Sequence, residues 1–253
     1  MFGVIDLRFF RNRDRSVGIL VALTVMLALS VNIIMHVFDE EIFIRSATGI
    51  SEDKIVILDA GHGGADSGAV GTSGVLEKEL NLAITLLMGK ELEEHGYIVV
   101  YTRTDDRLLL GEGEDVKGIR KISDLKNRCK VAARYPSAIF VSIHMNSYGD
   151  SRYSGLQVYY SALNSESRTL ADCIQRTVRE ELQPNNNRKI KEGNGIYVLE
   201  NVTNPAVMVE CGFLTNEEEC KKLSEENYQK QLSFSLIRAI IEYIEEKSAS
   251  DGA

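Results

Sequence analysis

Proline is scarce in this chain, at 3 residues, and 20 glycines in 253 are too few for a linker or a collagen-like chain. No internal repeat of about 20–50 residues is present, which excludes a solenoid. The body carries no basic stripe, and the formal net charge is −8, so a nucleic-acid partner is not expected. No CxxC pair exists among Cys129, Cys173, Cys211 and Cys220, which argues against a cysteine-based structural zinc site. Cys173 and Cys211 sit in apolar contexts suited to buried free thiols, so no disulfide is expected. What remains is 44% hydrophobic and 26% charged, neither a disordered tail nor a polytopic membrane protein. The length suits one sizeable domain rather than two.

The N-terminus departs from that composition. Arg8, Arg11, Arg13 and Arg15 outnumber Asp6 and Asp14 in residues 1–16. An apolar run, Val17 to Phe38, follows, with Thr24, Ser30, Asn32 and His36 as its polar interruptions, and Asp39-Glu40-Glu41 closes it. A helix of about 20 apolar residues crosses a bilayer, and basic residues before the run place the body outside. The rival reading is a cleaved signal peptide, with Val17–Leu27 as its apolar region and Ala28-Leu29-Ser30 as a cleavage site. Both readings make the body extracytoplasmic, anchored to a membrane or secreted. Residues 39–53 then read as a stalk, 54–247 as the folded domain and 248–253 as a tail.

Short β-branched runs begin the domain at Lys54–Leu58 and recur at Tyr97–Tyr101, Ala138–Ile143, Leu156–Tyr160, Ile196–Leu199 and Ala206–Val209. Between them, one-face apolar spacing predicts helices over Glu79–Glu94, Ser165–Leu182 and Ser224–Glu246. Leu108–Asp124 reads as a long loop leading into a helix at Leu125–Arg134. Strands alternating with helices predict an α/β fold. It is a single domain with a mixed, mostly parallel sheet of about six strands and helices on both faces, preceded by an N-terminal hydrophobic helix.

Of the four histidines, His36 lies in the apolar run and His95 at a helix end before Gly96. His62 and His144 each follow a predicted strand, and ligands gather outside the carboxyl ends of such strands. A catalytic zinc takes three protein ligands and keeps one position open. Glu77, at the start of the first helix, is a candidate third ligand. Glu210 follows a late apolar strand, where a carboxylate is costly unless paired, and is a general acid/base candidate. Each residue also has a plainer reading: hydrogen-bonded structural histidines, a helix-start acid, and a buried acid held by backbone N–H groups. The glycine-rich stretch Gly61–Gly74 matches neither a P-loop nor GxGxxG, and reads as a loop whose glycines let backbone pass close to a metal and substrate. Cys211 has no neighbouring histidine in sequence to activate it as a nucleophile.

The segments ILDAGHGG, GVLEKELNL, VVYTRTDD, FVSIHMNS and GIYVLENVTNPAVMVECGFLTN, in this order between Lys54 and Lys247, resemble the zinc-dependent N-acetylmuramoyl-L-alanine amidases called amidase type 3. Within them the chain looks most similar to the amidases of the bacterial spore cortex. The shared features are the N-terminal hydrophobic segment, the Leu108–Asp124 loop and the absence of added wall-binding repeats. The resemblance implies a peptidoglycan substrate, hydrolysed between N-acetylmuramic acid and L-alanine. It implies one Zn2+ per chain on His62, Glu77 and His144, with Glu210 as catalytic carboxylate and Asn81, Arg103 and Asn146 shaping the site or binding substrate. It further implies the first step of muramic-δ-lactam formation during sporulation, a role in germination, a place at the forespore membrane, and a membrane or lipoprotein accessory partner. The alternatives are a catalytically silent wall-binding protein and a zinc peptidase that cuts within the stem peptide.

Overall fold

The computed structural model describes Met26 and residues 54–251. The stalk and, Met26 apart, the expected hydrophobic helix at 17–38 lie outside the described residues. Among the described residues no helix is long and apolar enough to cross a membrane.

Three strands form the centre of the sheet: β1 (Ile55–Ala60), β3 (Ile139–Asn146) and β6 (Ala206–Phe213). Every residue of β1 is buried, as expected for a strand covered on both faces. The outer strands are β2 (Ile98–Tyr101), β4 (Gln157–Tyr160) and β5 (Lys191–Glu192), giving the order β2-β1-β3-β6-β4-β5. All neighbours pair parallel except β4 with β6, which is antiparallel.

Successive side chains of β1 enter two different cores. Val56 and Leu58 join Ile84 and Met88 of α1 (Glu77–Glu94), Ile174 and Val178 of α3 (Glu166–Glu181), and Leu236 and Ile240 of α6 (Glu226–Asp251). Ile55 and Ile57 join Phe140, Ala132 of α2 (Arg120–Ala133), and Val198 and Leu199 of α4 (Tyr197–Asn201). A short helix, α5 (Glu217–Leu223), links β6 to α6; its N-cap Asn216 side chain accepts from the Glu219 N–H. The four cysteines are free thiols, and Cys173, Cys211 and Cys220 are buried.

The segment Ile196–Leu199, expected as a strand, is the start of α4 instead. Both sides of β6 are already paired, by β3 and β4, so this apolar run covers the sheet face rather than extending it. A run of four apolar residues suits either state, and packing decides. The sixth strand is the two-residue β5, too short and too polar to signal itself. α2 starts at Arg120 rather than Leu125, because its buried face includes Asp124 and Arg128 and therefore lacks an apolar period. β6 runs on to Phe213, so Glu210 lies within a strand rather than after one.

The α3–α6 contact should respond as a packed core does. Ile174 is fully buried there, and Ile174→Ala should lower the unfolding free energy by about 2–4 kcal/mol, read from the urea midpoint at unchanged slope.

Candidate metal centre

The parallel strands β1, β3 and β6 present their carboxyl ends on one edge of the sheet. Ala60 pairs with Ile143, His144 with Glu210, and Glu210 with Gln157 on β4. Gly61 continues the row, its N–H donating to the Ile143 carbonyl at 3.1 Å. A Cβ on Gly61 would stand 2.2 Å from His144 Nε2, so only glycine leaves space for the imidazole. His62 then takes φ 60°, a left-handed conformation uncommon outside glycine, and brings its ring to 4.9 Å from that of His144.

Glu77, the first residue of α1, lies between the two rings. Its Oε1 is 3.1 Å from His62 Nε2 and 3.0 Å from His144 Nδ1, and also accepts the Met145 N–H at 3.0 Å. Its Oε2 accepts the Ala69 N–H at 2.8 Å. Gly68, at φ 64°, lets the loop pass: a Cβ there would meet Glu77 Oε2 at 2.5 Å. One donor atom from each of His62, Glu77 and His144 lies within 4.8 Å of the others. An ion with bonds of about 2.1 Å in tetrahedral geometry holds its donors roughly 3–3.5 Å apart, which these spacings suit. Asp66 Oδ2 lies 3.0 Å from His62 Nδ1, which fixes the ring with Nε2 directed inward.

The electrostatics also suit a cation. Burial opposes charge on His62, but hydrogen bonds to Asp66 and Glu77 lift its pKa to about 9. Burial likewise opposes charge on Glu77, yet hydrogen bonds from His144 and His62 hold its carboxyl well below the usual range. The cluster thus binds positive charge as protons, which a divalent ion can replace.

Glu210 faces the cluster from β6. Its Oε2 is buried and has no hydrogen-bond partner, unlike an acid held by backbone N–H groups. Burial lifts its pKa to about 7; His144 opposes the rise and Glu77 adds to it. An orphaned carboxyl oxygen beside three metal donors is what a site for a polarised water needs. Cys211, next in sequence, is fully buried, and burial raises its thiol pKa well above the usual value, which disfavours a thiolate nucleophile.

The other candidates occupy supporting positions. Asn81 is buried and donates to the Gly61 carbonyl at 3.1 Å. Arg103 is buried, and its hydrogen bonds go to the backbone carbonyls of Ala60, Gly61, Lys78 and Asp105. Asn146 ends β3, its Oδ1 accepting the Ser147 N–H.

A buried ion pair beneath the site escaped the sequence reading. Asp59 accepts from Thr102, Ser142 and Arg128. Arg128 also donates to Asp124, to the Ala60 carbonyl at 2.8 Å and to the His62 carbonyl at 2.7 Å. Burial opposes charge on both partners, but each holds the other ionised. The available signals were an aspartate inside an apolar strand and the Asp124/Arg128 spacing of one helical turn.

Known proteins resemble this chain in sequence and in fold. The model of the family described as N-acetylmuramoyl-L-alanine amidase matches residues 56–242. A germination-specific N-acetylmuramoyl-L-alanine amidase of Bacillus subtilis strain 168 is 37% identical over 194 residues, 77% of this chain and 81% of the relative. The CwlD amidase from Clostridioides difficile, solved in complex with the GerS lipoprotein, is 38% identical with a TM-score of 0.72, over 76% of this chain and 98% of that one. The amidase AmiC2 of Nostoc punctiforme is 31% identical with a TM-score of 0.65, again over 76% and 98%.

Two outcomes are expected. Arg128→Ala strands Asp59 and releases the His62 carbonyl. It should cost about 3–5 kcal/mol of stability in denaturant titrations and weaken metal uptake. Glu210 binds its proton more tightly folded, at about 7, than at its ordinary value of 4.5. Its ionisation therefore destabilises the fold as pH rises through that window. In chelator, Glu210→Gln should match the parent below pH 4.5 and exceed it by up to about 3 kcal/mol at pH 8.

Proposed function

Since the chain belongs to the N-acetylmuramoyl-L-alanine amidase family and is an amidase of peptidoglycan, we propose that it does its work with one zinc ion on His62, Glu77 and His144 and with Glu210 as proton carrier. The observation that carries this reading is the meeting of the three donors beside the unpartnered Glu210 oxygen at the strand ends.

A zinc ion bound there supplies a Lewis acid that polarises the scissile carbonyl and acidifies water. The remaining work belongs to the chain's own groups. Glu210, with a pKa near neutrality, takes a proton from the attacking water and delivers it to the departing alanine nitrogen. Asp66 holds His62 in one tautomer, and backbone N–H groups of Ala69 and Met145 hold the Glu77 carboxyl in place. Only one of the three ligands would be anionic, so a divalent ion held by them would keep a net positive charge.

The germination-specific relative supports the spore cortex as the place of action. Removal of the stem peptide there is the first step toward muramic-δ-lactam. The apolar run at 17–38 would hold the enzyme at the forespore membrane, on the extracytoplasmic side. The solved complex of a similar amidase with a lipoprotein supports an accessory partner of that kind.

The test is digestion of cortex peptidoglycan with mass spectrometry of the products. Intact stem peptides with a free N-terminal L-alanine are expected; cleavage within the stem would identify a peptidase instead. Glu210→Gln should keep its zinc and lose about 10²–10⁴-fold in turnover. His62→Ala and His144→Ala should lose the metal itself. An active, metal-free His144→Ala protein would overturn the ligand set.

A further inference from the structure

The row of side chains across the sheet does not stop at Glu210. Its ladder partner Gln157 is buried on the same face of β4. Gln157 Oε1 accepts from Arg188 Nη1 at 3.1 Å, and its Nε2 donates to the Lys189 carbonyl at 2.7 Å. Arg188 Nε donates to the Ser154 carbonyl at 2.8 Å. The guanidinium lies 4.4 Å from the centroid of the Phe213 ring and 5.5 Å from that of Tyr153. It is thus fixed in position by two neutral acceptors and two aromatic faces.

Among the described residues no carboxylate forms an ion pair with Arg188, and its Nη2 has no hydrogen-bond partner. Glu219 is close enough for Arg188 to oppose the rise in its pKa, but its two oxygens accept the N–H groups of Phe213 and Gly155 at 2.7 Å each. Arg152, nearby, is paired with Asp150. Arg188 lies on a cleft of about 880 Å³, whose lining also holds the cations Arg152 and Lys222, the carboxylates Glu218, Glu219 and Glu225, and Tyr153. An oriented, partly buried cation without a counter-ion is an acceptor for an anion, and arginine favours the paired oxygens of a carboxylate.

Its place fixes which anion. Gln157 stands one strand spacing, about 4.8 Å, from Glu210, and Arg188 lies beyond it in contact with its side chain, so the guanidinium is roughly 10 Å from the Glu210 position. Tyr159, on the same face of β4, registers both: burial and Glu210 raise its pKa, and Arg188 lowers it. A peptide advances about 3.5 Å per residue, so roughly 10 Å is the reach of the first two or three residues from the scissile bond. In a peptidoglycan stem the residue after L-alanine is a glutamate joined through its γ-carboxyl, which leaves its α-carboxylate free. We propose that Arg188 is the binding group for that carboxylate, so that the enzyme selects acidic stems by their second residue. This rests on the proposed site at Glu210, since the distance is counted from there.

The test compares two soluble substrates that differ in one group, a muropeptide with the free glutamate α-carboxylate and its isoglutamine counterpart, in which that carboxylate is an amide. The full-length parent should show a KM about tenfold or more lower for the acidic substrate, with kcat little changed. Arg188→Ala should abolish the preference by raising KM for the acidic substrate alone, and Arg188→Lys should restore part of it. Equal damage to both substrates would mean that Arg188 only supports Ser154 and Gln157, and would overturn the proposal. So would a parent that does not discriminate. Calorimetric binding of the released acidic and amidated peptides repeats the comparison without turnover. If discrimination by Arg188 appears in binding while the parent hydrolyses neither substrate, the carboxylate site stands and the Glu210 assignment fails.

Discussion

The pairing of Arg128 with Asp59 is the constraint on which the site depends. Asp59 stands inside an apolar strand, and its three donors come from three elements: Thr102 just after β2, Ser142 within β3 and Arg128 from α2. A buried ion pair is a poor source of net stability, because desolvation consumes most of the attraction. What this one provides is direction. With its Nε and Nη2 on Asp124 and its Nη1 on Asp59, the Arg128 guanidinium also donates from Nη1 to the Ala60 carbonyl and from Nη2 to the His62 carbonyl. Arg103 takes the carbonyls of Ala60 and Gly61. Four consecutive residues, Asp59 to His62, are therefore held by two buried arginines, and the left-handed backbone of His62 is maintained by them.

Given that fixed loop, the rest of the centre follows from register. His144 and Glu210 are ladder partners, so the imidazole and the carboxyl group share one face of the sheet at one strand spacing. Glu77 approaches from the N-terminus of α1, across the sheet edge. Two carboxyl groups consequently share the site with opposite environments. Glu77 accepts hydrogen bonds from backbone and imidazole donors and stays ionised, while Glu210 has a buried, unpartnered Oε2 and a pKa lifted by burial to about 7. That separation is the one expected if Glu77 holds charge and Glu210 moves a proton, as proposed.

The parts of this site that sequence discloses are those whose chemistry is scarce. With four histidines in the chain, two of them after apolar runs, His62 and His144 stand out, and Glu77 and Glu210 follow from motif and position. The supporting residues are hidden because their identity is common. The Asp124/Arg128 spacing in DLKNRCKVAA suits a solvated helix pair equally well; only the fold brings Arg128 onto Asp59 of β1. The same limit explains the exchange of α4 for a strand. Val198 and Leu199 would be buried in either state, and the choice was made by β4 occupying the free side of β6. Arg188 went unnoticed for a related reason. Its partners are a backbone carbonyl, an amide and two rings drawn from distant segments, none of which forms a pattern with RKIKEG.

The antiparallel pairing of β4 with β6, which reverses β4 and β5 against the rest of the sheet, has a consequence for chemistry as well as topology. Were β4 parallel to β6, its amino end would lie at the opposite edge and the loop before it could not reach the site. Reversed, β4 begins beside Glu210, so residues 147–155 and the approach to β5 both border the strand ends that carry the metal donors. The parallel half of the sheet thus carries the candidate metal donors and Glu210, while the antiparallel edge carries Gln157 and, hydrogen-bonded to it, Arg188, which lies with Tyr153 on a cleft. A linear substrate laid across the row meets the reacting groups first and the guanidinium about two strand spacings later. Reaction and selection are then separated along one direction of the sheet. At the reacting end the choice of residue is narrow, since a Cβ on Gly61 would collide with the His144 ring and the ladder sets His144 opposite Glu210.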